Sequence, residues 1–323
     1  MFEGMTVIGE NINATRKIKA DGKKVHDLGD GRKGYPYTTI DGRDAYLDLT
    51  EMLRTEIVQK TGRIGYIAAG IVARDEAFLA GIGGRQVQHG ADYLDCCVDE
   101  ISPDSAERVE HMQWAVRTLQ KHVQCPLSLD SSDEAVIRAG LDVYDHSAGT
   151  PMINSINLEP ARLPLLEIAR DHGTKLIANA SGAAALPASV EERLDNLAEM
   201  MSKMDEADIE LENRVLDPLV LPISTNPESG QQFLTTCERL RAEYGDRIHI
   251  TGGFSNVSFG LPRRRLVNEA MTYMARQAGC DVAFIDPLQV SGFRPEQEGF
   301  QKAMAALRGE DMYCMQYITF CRG

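Results

Sequence analysis

Eight short apolar runs punctuate this chain, and segments of helical periodicity separate most of them, a rhythm that few folds accept. The runs are 5–9, 93–97, 127–130, 152–156, 175–180, 215–221, 248–251 and 282–286. The helix-periodic segments are 105–122, 133–141, 190–205, 231–244 and 264–279, the last ending at Gly279, a residue suited to the left-handed position past a helix. Alternating strands and helices build a parallel sheet with helical crossovers. Eight strands close a (β/α)8 TIM barrel of α/β class. A doubly wound open sheet satisfies the same alternation, but no Gly-x-Gly-x-x-Gly follows the first run, which disfavours its dinucleotide-binding version.

Four runs end in a carboxylate or a carboxamide. They read Leu127-Ser-Leu-Asp130, Pro151-Met-Ile-Asn154, Val215-Leu-Asp217 and Ile248-His-Ile-Thr-Gly-Gly-Phe-Ser-Asn256. The active-site face of a (β/α)8 barrel lies at the C-terminal strand ends, so these side chains are expected to form a polar cup there.

The remaining composition narrows the class. The chain of 323 residues is long enough for one large barrel domain, 1–323. A formal net charge of -14 argues against nucleic acid as a partner. No stretch approaches the roughly 20 apolar residues of a membrane span, and Met1-Phe-Glu-Gly-Met lacks a basic-then-apolar secretory pattern. Seven scattered cysteines fit reduced thiols of a cytoplasmic protein better than a disulfide framework. One region breaks the rhythm: 14–73 is a long insertion after the first strand, with a turn-rich charged piece and an expected helix over 44–60. An excursion from that end of the first strand suits a lid, a partner-docking surface or a dimer contact, and a tolerated surface loop is the plain alternative.

The motifs carry a resemblance. Val7-Ile-Gly-Glu10-Asn-Ile-Asn13, Leu129-Asp130-Ser-Ser, Met152-Ile-Asn154-Ser-Ile, Leu216-Asp217-Pro-Leu and Gly253-Phe-Ser-Asn256-Val-Ser-Phe-Gly-Leu-Pro resemble, in order, five motifs of the pterin-binding methyltransferases. That family includes the methyltetrahydrofolate:corrinoid protein methyltransferases and the folate-binding module of cobalamin-dependent methionine synthase. The likeness runs from Val7 to about Pro287, interrupted by the insertion, and implies a dihydropteroate-synthase-like barrel, commonly a homodimer.

The resemblance implies that Asp130, Asn154 and Asp217 hold the pterin edge, where N–H donors lie beside a carbonyl acceptor. A carboxylate accepts two such donors, and a carboxamide both donates and accepts. The competing readings are a helix cap for Asp130, with Ser131 or Ser132 as substitutes, a strand-end cap for Asn154 and an Asp-Pro turn for Asp217. Asn256 takes the catalytic place, its carboxamide accepting from N5 of tetrahydrofolate as positive charge develops there; the bland reading is a turn after Gly252-Gly253. Glu10 and Asn13 match the family opening, although Asn11 stands where an arginine is common. Arg264 matches the family arginine and suits an anionic folate tail, a partner's acidic surface or simply the start of a helix.

One departure stands at the second strand. The family's Leu-Asp-x-Asn reads Leu94-Asp95-Cys96-Cys97, which keeps Asp95 as a pterin contact and loses the asparagine. Adjacent cysteines suggest zinc, but Cys125 and Cys280 fall at the opposite strand ends, so buried thiols and no metal are expected. No Asp-x-His-x-x-Gly cobalamin motif is present, so the corrinoid must ride on a partner protein. The expected reaction moves a methyl group between tetrahydrofolate and that corrinoid, with 5-methyltetrahydrofolate as the methylated substrate, and fits a demethylation pathway. The rivals are a dihydropteroate-synthase-like enzyme, whose Ser-Arg-Lys signature is replaced by Ser255-Asn256-Val257, a Schiff-base aldolase, which needs a strand-end lysine where strand six carries Asp217 and Lys175 starts strand five, and a non-catalytic folate or corrinoid-protein scaffold.

Overall fold

The computed structural model describes residues 4–289, 292 and 294–323. Met1 to Glu3, part of the stretch read for a secretory pattern, lie outside the described residues. The barrel strands are β1 (Thr6–Asn13), β2 (Tyr93–Cys97), β3 (Leu127–Asp130), β4 (Met152–Ile156), β5 (Lys175–Asn179), β6 (Arg214–Asp217), β7 (His249–Ile250) and β8 (Val282–Ile285). They form one eight-stranded sheet in the order β7-β6-β5-β4-β3-β2-β1-β8. That sequential order, with β8 beside β1, is the α/β (β/α)8 barrel expected from the alternation. The helices that follow the strands are α1 (Glu76–Gln88), α2 (Ser105–His122), α3 (Glu134–Asp142), α4 (Leu165–His172), α5 (Val190–Glu206), α6 (Ser229–Tyr244), α7 (Arg264–Gln277) and α8 (Glu298–Leu307). Among the described residues no helix is long and apolar enough to cross a membrane.

Contacts group the chain into two compact units, 1–8 with 153–323 and 9–152. In the first unit β5, β6 and β7 pair in parallel, with Asn179 in register with Asp217. Leu176 to Ala178, Arg214 to Leu216 and Ile250 are buried, as the middles of parallel strands under helices must be. The seam between the short β7 and β8 is closed by Asp281. Its amide donates to Ile250 O (3.2 Å), its Oδ1 accepts from Ile250 N (2.7 Å) and Arg241 Nη2 (3.0 Å), and its Oδ2 meets His249 Nδ1 (2.7 Å). One carboxylate thus satisfies donors that a two-residue strand leaves unpaired.

In the second unit β2 and β3 pair in parallel, and Ala14 N donates to Cys97 O just beyond β1. The insertion departs from expectation. Its 44–60 segment is not one helix: Asp44–Asp48 is a strand, and helices follow at Thr50–Leu53 and Glu56–Thr61. The reason is local. Ala45 and Leu47 turn inward while Asp44, Tyr46 and Asp48 face out, a period of two, and Gly42 at φ +85° closes a hairpin onto Arg32–Thr38. With His26–Gly29 this makes a three-stranded antiparallel sheet. It lies on α1, where a Cβ at Gly81 would sit 2.5 Å from Thr38 O and one at Gly84 would sit 2.9 Å from Ile40 Cγ1. A second ribbon pairs Lys17–Lys19 with Arg63–Gly65.

Candidate active site

In the first unit the site grows from the ends of β4 to β7. Asn154 is partly exposed on β4, and its neighbour Ser155 accepts through Oγ from Asn179 Nδ2 (3.0 Å) at the end of β5. Asn179 Oδ1 takes the Ser181 amide (3.0 Å), so the side chain is held at both ends and aimed by the fold. Sequence reading did not single out Asn179. Its position at a strand end was the available signal.

Asp217 ends β6, and its Oδ1 accepts from Leu219 N (2.8 Å) across Pro218. The Asp-Pro turn anticipated for it is therefore real, and it uses only one oxygen. Burial pushes this carboxyl up to about 7, opposed by the Leu219 amide and the Arg193 guanidinium. Arg193, on α5, is fully buried and donates to Pro218 O (2.9 Å), Ser189 O (3.0 Å) and Gln232 Oε1 (3.1 Å). Its Nη2 has no hydrogen-bond partner among the described residues. No motif flagged Arg193, because its contacts to Pro218 and Gln232 join residues far apart in sequence.

Asn256 sits in the 3-10 turn Phe254–Ser258 that follows β7. Its backbone is fixed by Asn256 N→Gly253 O (3.0 Å), while its carboxamide is exposed and makes no hydrogen bond among the described residues. Of the two glycines before it, Gly252 is a packing requirement, while a side chain at Gly253 would only displace the exposed Asn256 carboxamide. A Cβ on Gly252 would come within 2.8 Å of the Phe233 ring, and one on Gly253 within 2.9 Å of Asn256 Nδ2. Arg264, the first residue of α7, braces the turn: Nε donates to Ser258 Oγ (3.0 Å), Nη2 to Ser255 O (2.8 Å), and the guanidinium lies 4.4 Å over Phe259. It begins a helix, as one reading held, and also holds the asparagine turn in shape.

In the second unit Asp130 ends β3, partly exposed. The cap of α3 is Asp133, whose Oδ1 accepts from Ala135 N (3.0 Å), so neither Asp130, Ser131 nor Ser132 is needed for it. Ser131 and Ser132 instead bond Asp99, at 2.5 Å and 2.7 Å to their hydroxyls, which fixes the loop following Asp130. Asp95 is buried on β2 and accepts from Ser128 Oγ (2.8 Å) across the β2–β3 pair. Glu10 on β1 is ion-paired with Arg16 (2.9 Å), and Asn13 Oδ1 accepts from Thr15 N (2.9 Å) in an Asx turn that ends the strand.

Cys96 and Cys97 are buried, and burial, with the charges of Asp130 and Asp95, raises both thiols well above their ordinary value. Protonated thiols are poor metal ligands. Among the described residues no cluster of three or more His, Cys, Asp or Glu has the arrangement to hold a metal.

Residues 69–286 match the family model described as pterin binding enzyme. Over 261 residues the chain is 32% identical to the methylcorrinoid:tetrahydrofolate methyltransferase of Eubacterium limosum, covering 79% of this chain and 91% of that protein. It is 28% identical over 256 residues to the methionine synthase of Mycobacterium tuberculosis, covering 74% of this chain and 20% of that longer protein. Among solved structures, the dihydropteroate synthase of Xanthomonas albilineans in complex with 7,8-dihydropteroate aligns with a TM-score of 0.56 at 18% identity, covering 97% of this chain and 95% of that one. This last is a likeness of fold.

Proposed function

The chain belongs to the pterin-binding enzyme family, and from that premise we propose that it transfers a methyl group between N5 of tetrahydrofolate and the cobalt of a corrinoid protein. The Eubacterium limosum relative is named for this transfer. The observation that carries the reading is Asn256: a carboxamide on a braced turn at a strand end, exposed and without an internal partner among the described residues.

The chain's own residues then divide the work. Asp217, Asn154 and Asp130 take the pterin edge, with Asn179 holding Ser155 beside Asn154. A carboxyl poised near neutrality at Asp217 is drawn to its ionised form by ring N–H donors, since hydrogen bonds to the charged form favour it. Asn256 Oδ1 accepts from N5–H as N5 takes up the proton that turns it into a neutral amine leaving group; the bond strengthens as positive charge develops on N5 before the C–N bond breaks, and so lowers the barrier. Arg264 keeps that oxygen in place by fixing the turn. Asp95 within β2, Glu10 within β1 and Asn13 at the end of β1 take the remaining pterin contacts in this reading. The corrinoid, carried by the partner protein, supplies the cobalt that accepts or delivers the methyl group.

The reading takes 1–323 as one pterin-binding domain acting as a homodimer in the cytoplasm. Seven free thiols among the described residues support a reducing compartment. Purified protein mixed anaerobically with 5-methyltetrahydrofolate and cob(I)alamin is expected to form methylcobalamin, read in the visible spectrum. Folate binding without conversion by any corrinoid would favour the scaffold reading, and neither binding nor conversion would sink the pterin assignment.

A further inference from the structure

The 14–73 insertion is a basic island on an acidic chain. It holds eleven Lys and Arg against eight Asp and Glu, where the whole chain has 34 against 48. The excess gathers on the ribbon of Lys17–Lys19 with Arg63–Gly65 and on the turns beside it. Its register sets Lys19 directly opposite Arg63, and both are exposed. Like charges directly opposite on one face of a strand pair are destabilising, and a two-stranded ribbon has little stability to lose. The chain leaves Lys19 through two consecutive turns, Gly22 N→Lys19 O and Val25 N→Gly22 O, that carry the exposed Lys23 and Lys24. Lys60 stands two residues before Gly62, whose carbonyl accepts from Ala20 N.

Two of the basic residues here are already engaged, Arg16 with Glu10 (2.9 Å) and Lys17 with Glu100 (2.5 Å). Lys19, Lys23, Lys24, Lys60 and Arg63 have no ion pair among the described residues, and Asp21 is the single acidic residue of 14–25 and 60–65. The ribbon begins four residues after Asn13, so it lies within about 14 Å of chain from the C-terminal end of β1. The bonds of Ala14 to Cys97 and of Lys17 to Glu100 tie it to the end of β2 as well. That is the strand-end face on which a (β/α)8 barrel receives its substrate. The family match begins only at residue 69, beyond the ribbon.

Resting on the folate reading above, we infer that this ribbon binds the γ-linked oligoglutamate tail of the folate substrate. Each added glutamate brings one further carboxylate, and a net charge of -14 opposes such a polyanion. A local field of unpaired cations at the rim offsets that repulsion where the tail leaves the pterin site. The clash of Lys19 with Arg63 is relieved when a carboxylate lies between them.

The test is titration calorimetry of monoglutamyl and oligoglutamyl 5-methyltetrahydrofolate on the full chain and on the exposed double variant Lys19→Glu with Arg63→Glu. Exposed ion pairs are individually weak and screened by salt, and several acting together give an expected preference of about tenfold for the oligoglutamyl form at low ionic strength. The preference shrinks as salt is added, and the variant loses it while binding the monoglutamyl form as before. Equal affinity of the unaltered protein for the two forms overturns the inference and leaves the methyl transfer standing. So does a preference that survives in the double variant, or in that variant with Lys23→Ala and Lys24→Ala added to it. Failure of both forms to bind removes the folate reading and this inference with it.

Discussion

Replacing Asp217 by asparagine separates what this residue does for the site from what it does for the fold. The carboxyl's ordinary value is 3.8 and burial lifts it to about 7, so the folded protein holds this proton more tightly than the unfolded chain does. Stability from the bound proton is therefore fully present below pH 3.8 and is lost as pH rises through about 7. Between about pH 5 and about pH 8.5 the linkage integrates to a loss of about 3 kcal/mol. The substituted carboxamide does not titrate, and its oxygen can still accept from the Leu219 amide, so Asp217→Asn is expected to escape that loss. The assay is urea unfolding of both proteins at the two pH values: the variant should gain about 3 kcal/mol on the original protein between them. At the same time the carboxamide presents an NH2 group where the carboxylate had a second acceptor oxygen, so folate affinity should fall at least about tenfold. If the stabilities of the two proteins run parallel from about pH 5 to about pH 8.5, the carboxyl is not desolvated and its proposed poise near neutrality is wrong.

Asn256→Ala should lower turnover about 100-fold with folate Kd nearly unchanged, as expected for a group that acts mainly in the transition state; equal losses in both would mark it as a binding residue. Arg264→Leu releases the turn of Phe254–Ser258 and should reduce kcat about tenfold, with a normal melting temperature showing that the barrel is intact. Asp281→Ala opens the β7–β8 seam and orphans the buried Ile250 amide, at a cost of about 1–3 kcal/mol in urea unfolding. Although burial pushes the Asp281 carboxyl up, its bonds to His249 and Ile250 hold it below the ordinary value. The seam's contribution is thus present above pH 3.8 and lost in the unaltered protein as pH falls through the lowered value, and the variant's unfolding should lack that acid-side decline. Cys96 and Cys97 should resist iodoacetamide in the native protein and label after denaturation; native labelling at neutral pH would contradict their burial.

The legible parts of this chain were those in which the signal is local. β2, β3 and β4 fall on the residues that the apolar runs marked, and α2 likewise, because strand burial and helical period are written in consecutive residues. At 44–60 the helical expectation fails because helix formers such as Glu51, Met52 and Leu53 sit next to an alternating strand, and only its pairing with Arg32–Thr38 decides between the two. At the site, Asn256 and Asp217 were visible from the motifs that carry them. Arg193, Asp99 and Asn179 were not, since each acts through a partner distant in sequence: Pro218, Ser131 and Ser155. The cap of α3 fell to Asp133 rather than to the residues before it, a shift of one position that frees the loop after Asp130 for other bonds.

The missing side chains of Gly81 and Gly84 redraw the border of the insertion. A helix that surrenders two positions so that a hairpin can seat against its backbone has become part of that hairpin's foundation. Cutting the excursion out at 14 and 73 would leave α1 with a bare, solvated trough and two helix-weakening residues to no purpose. Grafting the same segment onto a barrel with ordinary side chains at those positions would drive a methyl group into Thr38. The unit that can be moved between proteins is therefore discontinuous in sequence, the loop together with one strip of the following helix.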